Sequence, residues 1–113
     1  MKSALDGVVI VDISSGIAGA YAAMLLTDMG AECTKVESGE GDPARGLPGF
    51  LVWNRGKKSL TLNLDTGEGR EILYRMIEKA DILVENFSPG QAKLLGLDYE
   101  SLSALNSRLI YCA

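Results

Sequence analysis

Two short segments of the sequence carry residue types that could bind an anionic ligand through the backbone or an amide. The first, residues 14–19, joins a predicted strand to a predicted helix, and the backbone N–H groups at a helix start favour an anion or phosphate. Gly16 and Gly19 would let a ligand approach closely. The second, residues 84–90, follows a predicted parallel strand, and α/β sheets bind ligands at that end of their strands. There Asn86 offers both a donor and an acceptor, and Phe87 offers an apolar face.

Each of these segments also has a plain structural explanation. The glycines of residues 14–19 are equally typical of a tight turn and of close helix packing. Glu37, at the end of the next strand, resembles the acid that holds the ribose in dinucleotide-binding folds. However, Ser14 stands where the fingerprint G-x-G-x-x-G has its first glycine, so an NAD site is disfavoured. A simple strand–loop–helix junction would need only the Pro and Gly of residues 84–90.

A basic cluster at residues 54–59, Asn-Arg-Gly-Lys-Lys-Ser, is the third candidate. Three cations surround a glycine just before a predicted strand, which would suit a phosphate. A solvated turn explains the same pattern at least as well.

Catalytic chemistry inside the chain is restricted by composition. The sequence has no histidine, which excludes Ser-His or Cys-His catalysis and histidine-based metal sites within it. The two cysteines, Cys33 and Cys112, lie in apolar strand-like runs and are expected to be packed thiols. Asp12, Asp42 and Asp81 are interpreted as strand-end, loop or cap residues. We therefore predict no catalytic residue and no metal site among residues 1–113.

The overall composition indicates a folded domain. The 113 residues are 47% hydrophobic and 23% charged, which excludes a disordered tail. A net charge of −4 argues against nucleic-acid binding. The longest apolar run, residues 17–26, is too short to cross a bilayer, and an acid at position 6 interrupts any signal peptide. We expect a soluble cytoplasmic protein with neither a nucleic-acid nor a membrane partner.

The elements that must position these candidates follow the order β-α-β, loop, β-α-β-α-α-β. This order predicts an α/β fold, a mostly parallel Rossmann-like sheet with flanking helices. The first helix should be well buried, with Ile17, Ala20, Tyr21, Met24 and Leu25 on its main apolar face. Asp65 and Glu68 have capping-box spacing before the second helix. Residues 38–56 lack periodicity and predict a long functional or partner-binding loop.

The last predicted strand, residues 108–112, looks like a buried parallel strand one residue before the chain stops. A complete domain rarely ends in this way. The expectation is a truncated part of a larger fold, whose exposed apolar face would favour aggregation.

Ten short motifs follow one another along nearly the whole chain. They are Leu-Asp-Gly at 5–7, Val-Asp at 11–12, Gly16 to Gly19, Met-Gly-Ala-Glu at 29–32, Lys-Val-Glu at 35–37, Gly-Asp-Pro-x-Arg at 41–45, Asn-Arg-Gly-Lys-Lys-Ser at 54–59, Ala-Asp-Ile-Leu-Val-Glu-Asn-Phe at 80–87, Leu-Gly-Leu at 95–97 and Asn-x-Arg-Leu-Ile-Tyr at 106–111. With these motifs in this order, the sequence resembles the start of the family III CoA-transferases, the group of formyl-CoA transferases, carnitine CoA-transferases and 2-methylacyl-CoA racemases.

The resemblance implies that residues 1–113 are the N-terminal, CoA-binding segment of a longer chain that forms an interlocked homodimer. It implies transfer of CoA between an acyl-CoA and a carboxylic acid through an aspartyl-CoA thioester, on an aspartate beyond Ala113. Coenzyme A or acyl-CoA would be the substrate, with no metal. The alternatives are a 2-methylacyl-CoA racemase, using a His and an Asp that also lie downstream, and a non-catalytic CoA- or nucleotide-binding module.

The CoA-groove residues implied by the resemblance come from the ends of the predicted strands. They are Gly16, Ile17, Ala18, Ser38, Leu62, Asn63, Leu64, Asp65, Asn86, Phe87 and Ser88. Three positions depart from the family pattern: Ser38 and Leu94 stand where an Arg can occur, and Asp65 where a Lys can occur. Our hypothesis is that a phosphate contact comes instead from one of the cations Arg45, Arg55 and Lys57.

Overall fold

The computed structural model describes residues 2–113, which form one parallel five-stranded sheet with helices on both faces. Its strands are β1 (Val9–Asp12), β2 (Glu32–Glu37), β3 (Lys58–Thr61), β4 (Ile82–Val84) and β5 (Ile110–Cys112). Its helices are α1 (Ala18–Asp28), α2 (Phe50–Trp53), α3 (Gly67–Lys79), α4 (Gln91–Leu94) and α5 (Tyr99–Leu105), with a 3₁₀ turn at Pro43–Gly46. The predicted α/β class is confirmed.

The strand order is β3-β2-β1-β4-β5, so β1 lies at the centre. Val11 of β1 is opposite Thr34 on one side and Leu83 on the other. Because every pairing is parallel, the carboxyl ends of all five strands meet at one edge. The order reverses direction between β1 and β4, and open α/β sheets bind ligands at such a switch point.

The larger part of the core lies on the face covered by α3 and α5. Helix α3 is capped by Thr66, whose hydroxyl accepts a hydrogen bond from the N–H of Gly69, so the cap predicted at Asp65 is one residue early. Leu73 and Ile77 of α3 are fully buried against the sheet. The buried residues of this cluster are Val11, Ile13, Val36, Leu62, Leu73, Ile77, Ala80, Leu83, Leu97, Leu102 and Leu109.

Helix α1 covers the opposite face with small side chains. Its buried residues are Gly19, Ala20, Ala23 and Met24, whereas Tyr21 is 50% exposed. Of the predicted apolar face, Ala20 and Met24 are buried as expected, whereas Ile17, Tyr21 and Leu25 are exposed. A helix that is apolar nearly all round does not reveal its buried side by periodicity, and here the small residues permit the closest approach to the sheet.

Two further predictions, for the last strand and for residues 38–56, differ from the structure. Strand β5 lies at the sheet edge, with Ile110 61% exposed and Cys112 also exposed, so neither a buried strand nor a packed thiol is found there. Residues 38–56 are not devoid of structure, since they include the 3₁₀ turn and α2. Among residues 2–113 no helix has the length and apolar character needed to cross a membrane.

Candidate ligand-binding cleft

An open cleft of about 330 Å³ lies at the carboxyl edge of the sheet. Its walls come from the segments that follow β1, β2, β3 and β4, which the parallel topology brings together. The lining residues are Ile13, Ser14, Ser15, Val36, Glu37, Ser38, Glu40, Gly41, Asp42, Pro43, Leu62, Asn63, Leu64, Asp65, Phe87 and Leu95.

Six of the eleven predicted groove residues line this cleft. They are Ser38, Leu62, Asn63, Leu64, Asp65 and Phe87. The other five, Gly16, Ile17, Ala18, Asn86 and Ser88, lie in the turns beside it. The structure therefore brings segments that are far apart in sequence to one edge, although not every predicted residue faces the cavity.

The turn after β1 already uses its first N–H groups within the chain. Ser14 N–H donates to Asp12 Oδ1 at 2.9 Å, and Gly16 N–H donates to Asp42 Oδ1 at 3.0 Å. A Cβ on Gly19 would overlap the side chain of Ser14, so packing explains that glycine. An anion at this turn would instead meet the helix start at Ile17 and Ala18, both exposed.

Asn86 joins two turns that are far apart in the sequence. Its Oδ1 accepts a hydrogen bond from Ser15 N–H at 2.9 Å, and its Nδ2 donates to Ser15 O at 2.6 Å. This reciprocal pair fixes the turn after β4 against the turn after β1. Asn86 therefore shapes the cleft mouth through Ser15, while Phe87 lines the cavity.

Two buried ion pairs lie beneath the turn, and the sequence interpretation missed both. Lys35 Nζ is 2.9 Å from Asp42 Oδ2, and Lys57 Nζ is 2.9 Å from Asp12 Oδ2, with every one of these side chains at most 3% exposed. Lys35 also donates to Ser14 O at 3.2 Å. Lys35 inside an apolar strand-like run was the available signal, because a charge buried there requires a partner.

Three exposed cations of the same region are also paired. Arg45 contacts Glu37 at 2.6 Å, Arg55 pairs with Asp28, and Lys58 pairs with Glu32. Arg45, Arg55 and Lys57, the cations of our phosphate hypothesis, are thus held by carboxylates, and none of them lines the cleft. The structure gives that hypothesis no support.

Hydrogen bonds lower the pKa of two acids of this region, Glu37 and Asp42. The Arg45 guanidinium lowers the pKa of Glu37, whose Oε2 also accepts from Asp42 N–H at 2.7 Å. Burial raises the pKa of Asp42, but the bonds from Lys35 and from the N–H groups of Ala44 and Gly16 outweigh it and leave that pKa below its usual range. Glu37 is therefore occupied internally, unlike a free ribose-binding acid.

Cys33 lies in β2 under α1, and no hydrogen bond outweighs the effect of burial on its pKa. Desolvation, with the charge of Asp12 nearby, raises the pKa of its thiol to about 11. The prediction of a packed, unreactive thiol is confirmed for Cys33.

The cleft has an uneven distribution of charge. Four acids line it, Glu37, Glu40, Asp42 and Asp65, and no Lys or Arg does so among the described residues. Leu62, Leu64, Phe87 and Leu95 add apolar surface, and Ser14, Ser15, Ser38 and Asn63 add neutral polar groups. This combination suits a flat ring with hydrogen-bond donors, such as a base and its sugar hydroxyls, better than it suits a phosphate.

Comparison with known proteins gives one consistent family. The model described as CoA-transferase family III matches residues 5–113. Acetyl-CoA:oxalate CoA-transferase of Acetobacter aceti is 38% identical over 99% of this chain and 31% of its own length. Succinyl-CoA:mesaconate CoA-transferase of Haloarcula marismortui is 41% identical, covering 96% of this chain and again 31% of its own length.

A solved structure agrees with the sequence matches. The crystal structure of a CAIB/BAIF family protein from Brucella suis superposes with a TM-score of 0.92 at 41% identity. That alignment covers 99% of this chain and 33% of the solved chain. The chain therefore spans about a third of the length of the relatives that it matches.

Proposed function

The chain belongs to CoA-transferase family III, and from this premise we propose that residues 1–113 form the surface that holds the nucleotide end of coenzyme A. In this proposal they are the N-terminal segment of a longer chain, since the matched relatives are about three times as long. The observation that carries the proposal is the cleft at the carboxyl edge, where six residues predicted for the CoA groove come together.

The chemistry of the cleft supports a base and its ribose as occupants. Leu62, Leu64 and Phe87 offer apolar walls for an adenine ring. The carboxylate of Asp65 and the side-chain amide of Asn63 can accept hydrogen bonds from ribose hydroxyls or from the adenine amino group. The diphosphate would leave the cleft toward the N–H groups of the α1 start.

We propose that the full-length protein moves CoA from an acyl-CoA to a carboxylic acid. An aspartate outside residues 1–113 would attack the thioester carbonyl, form a mixed anhydride and release the CoA thiolate. The thiolate would attack the aspartyl carbonyl, release the first acid and leave an aspartyl-CoA thioester. The acceptor carboxylate would then repeat these steps in reverse. A homodimer in the cytoplasm is part of the same proposal.

Filling the cleft tests the binding role. Ser38 is exposed at the cleft wall, so Ser38→Trp should occupy the cavity without disturbing the core. We expect it to weaken CoA binding by at least roughly tenfold in calorimetry on the full-length protein, about 1.4 kcal/mol. Ser107→Trp, at an exposed serine outside the cleft, is the matched control. Equal CoA affinity for both variants would refute the assignment.

Trapping the thioester tests the reaction. The full-length protein, incubated with an acyl-CoA and then with hydroxylamine, should carry a hydroxamate on an aspartate in a peptide beyond Ala113. Exchange of the α-hydrogen of a 2-methylacyl-CoA with deuterated solvent, without a trapped adduct, would instead identify the racemase. CoA binding with neither result would identify a binding module.

A further inference from the structure

The nucleotide end of CoA carries a diphosphate and a 3′-phosphate, yet the cleft assigned to it contains no cation among its lining residues. The five ion pairs of the described residues take up Lys35, Arg45, Arg55, Lys57 and Lys58. A cation that contacts a phosphate of CoA and leaves these pairs intact therefore comes from outside this set.

Arg70, in the first turns of α3, is held at the wall of the cleft by a backbone contact. Its Nη1 donates to the carbonyl oxygen of Leu64 at 3.3 Å, and Leu64 and Asp65 both line the cavity. The side chain is half-buried. None of the ion pairs among residues 2–113 includes Arg70, so its charge is not neutralised by a carboxylate contact.

The geometry of Arg70 leaves donors available for a ligand. Only Nη1 takes part in a described hydrogen bond, and Nε and Nη2 remain. A guanidinium presents such neighbouring donors in a planar fork that matches two oxygens of a phosphate. The contact with Leu64 also restricts the side chain before a ligand arrives, which lowers the entropy cost of binding.

Other cations outside the ion pairs are less well placed. Arg75 and Lys79 lie further along α3, and Arg75 is about 7.5 Å from Arg70 along the helix axis at 1.5 Å per residue. Lys93 lies on α4, within the electrostatic influence of Asp98, whose pKa it helps to lower. None of these three, and neither Lys2 nor Arg108, lines the cleft or has a described hydrogen bond to a residue that does.

We propose that Arg70 binds a phosphate group at the nucleotide end of CoA, in place of the cations that the ion pairs occupy. This inference rests on the proposed CoA-binding function. It assigns the phosphate contact to a residue that the sequence interpretation did not single out.

The test compares CoA with dephospho-CoA, which lacks the 3′-phosphate, by calorimetry on the full-length protein. Arg70→Gln should weaken CoA binding roughly ten- to hundredfold, the range of a hydrogen bond to a charged group. Arg70→Lys should recover part of the loss, because it keeps the charge but not the fork. Arg75→Gln removes the same charge from an exposed site on the same helix and should bind as the unaltered protein does.

Each outcome decides the proposal. A loss confined to CoA assigns Arg70 to the 3′-phosphate, and an equal loss with dephospho-CoA assigns it to the diphosphate. Unchanged affinity of Arg70→Gln for both ligands overturns the role of Arg70 and leaves the CoA cleft standing. If the unaltered protein binds neither ligand, the proposed function fails and this inference fails with it. If thermal unfolding shows that Arg70→Gln does not fold, the CoA affinities of Arg70→Lys and Arg75→Gln are compared instead. Weaker binding by Arg70→Lys supports the proposal, and equal affinity of the two variants overturns it.

Discussion

Two neighbouring regions of this molecule use charge in opposite ways. In the ion-paired region, formed by the pairs of Lys35, Arg45, Arg55, Lys57 and Lys58, every cation has its own carboxylate. In the adjacent cleft no cation lines the cavity; two of its four acids, Glu37 and Asp42, belong to these pairs, and Glu40 and Asp65 do not. The difference indicates that most cations near β2 and β3 serve the fold, and that the cleft keeps the carboxylates of Glu40 and Asp65 as acceptors for a ligand.

Burial also separates the pairs within the ion-paired region. Asp12–Lys57 and Lys35–Asp42 are enclosed, whereas Lys58–Glu32 is open to solvent. Removing one member of a buried pair leaves an uncompensated charge, while an exposed pair contributes little. The ion-paired region is thus held mainly by its two inner pairs.

The largest effect should come from breaking an inner pair. Asp12→Ala leaves Lys57 buried without its carboxylate, and we expect the free energy of unfolding to fall by about 3–5 kcal/mol. Urea denaturation followed by circular dichroism measures it. Glu32→Ala, which breaks the exposed pair with Lys58, is the control and should have little effect. A comparable decrease in the free energy of unfolding of the two variants would contradict the distinction between the enclosed pairs and the solvent-exposed pair.

A smaller effect should come from the cleft wall. The structure leaves no room for a side chain at Gly69, where a Cβ would overlap the backbone oxygen of Asn63. Gly69→Ala should therefore displace Asn63 from the cleft, lower the free energy of unfolding by roughly 1–3 kcal/mol and weaken CoA binding.

Gly67→Ala, at the first residue of the same helix, has open space around its Cβ and is the matched control. Thermal unfolding and calorimetry with CoA measure both variants. If Gly69→Ala kept the affinity and stability of Gly67→Ala, the wall would be more adaptable than the structure indicates.

The free energy of unfolding should fall as the pH is lowered, because the ion-paired region loses the contribution of Glu37. The pKa of Glu37 is lowered in the folded protein, chiefly by Arg45, so the unfolded chain binds a proton more readily. The stabilisation from Glu37 is present above its ordinary pKa of 4.5 and is lost as the pH falls through the lower folded value. Urea denaturation at a series of pH values should show this loss, and Arg45→Gln should reduce the part due to Glu37. If the free energy of unfolding of Arg45→Gln depended on pH as steeply as that of the unaltered protein, the assignment of this pH dependence to the Glu37–Arg45 pair would be wrong.

The smallest effect concerns thiols rather than stability. Cys33 is buried with a pKa raised to about 11, whereas Cys112 is exposed on the edge strand. A thiol reagent at neutral pH should therefore modify Cys112 rapidly and Cys33 only after unfolding. Cys112→Ser identifies the fast site. Rapid labelling of Cys33 in the folded protein would show that the packing of α1 on β2 opens readily.

The local sequence pattern was sufficient to predict the sheet and most of the residues that line the cleft. Continuous apolar runs marked β1 and β4, and the parallel topology then placed Leu62, Asp65 and Phe87 at the same edge. The partners of charged residues were not predictable in this way. Lys57 and Asp12 are 45 positions apart, and only the folded chain brings them together.

Edge position and helix orientation also depend on tertiary structure. Ile110 and Cys112 have the residue types of an inner strand, and only the strand order exposes them. Tyr21 shares the predicted apolar face of α1 with Ala20 and Met24, yet only Ala20 and Met24 are buried and Tyr21 is exposed. Arg70 escaped notice because its importance rests on one contact to the backbone of Leu64.

The bonding of Lys57 has a consequence for how a ligand would enter. All three protons of its ammonium are donated, to Asp12 Oδ2, to the carbonyl oxygen of Ala20 and to Asn54 Oδ1, each at 2.9 Å. Lifting this end of residues 38–57 away would break the bonds to Asp12 and Ala20, which hold a side chain that is only 2% exposed. This part of the segment is therefore a fixed wall, and exchange of a nucleotide at the cleft should proceed through its open mouth without waiting for this segment to move.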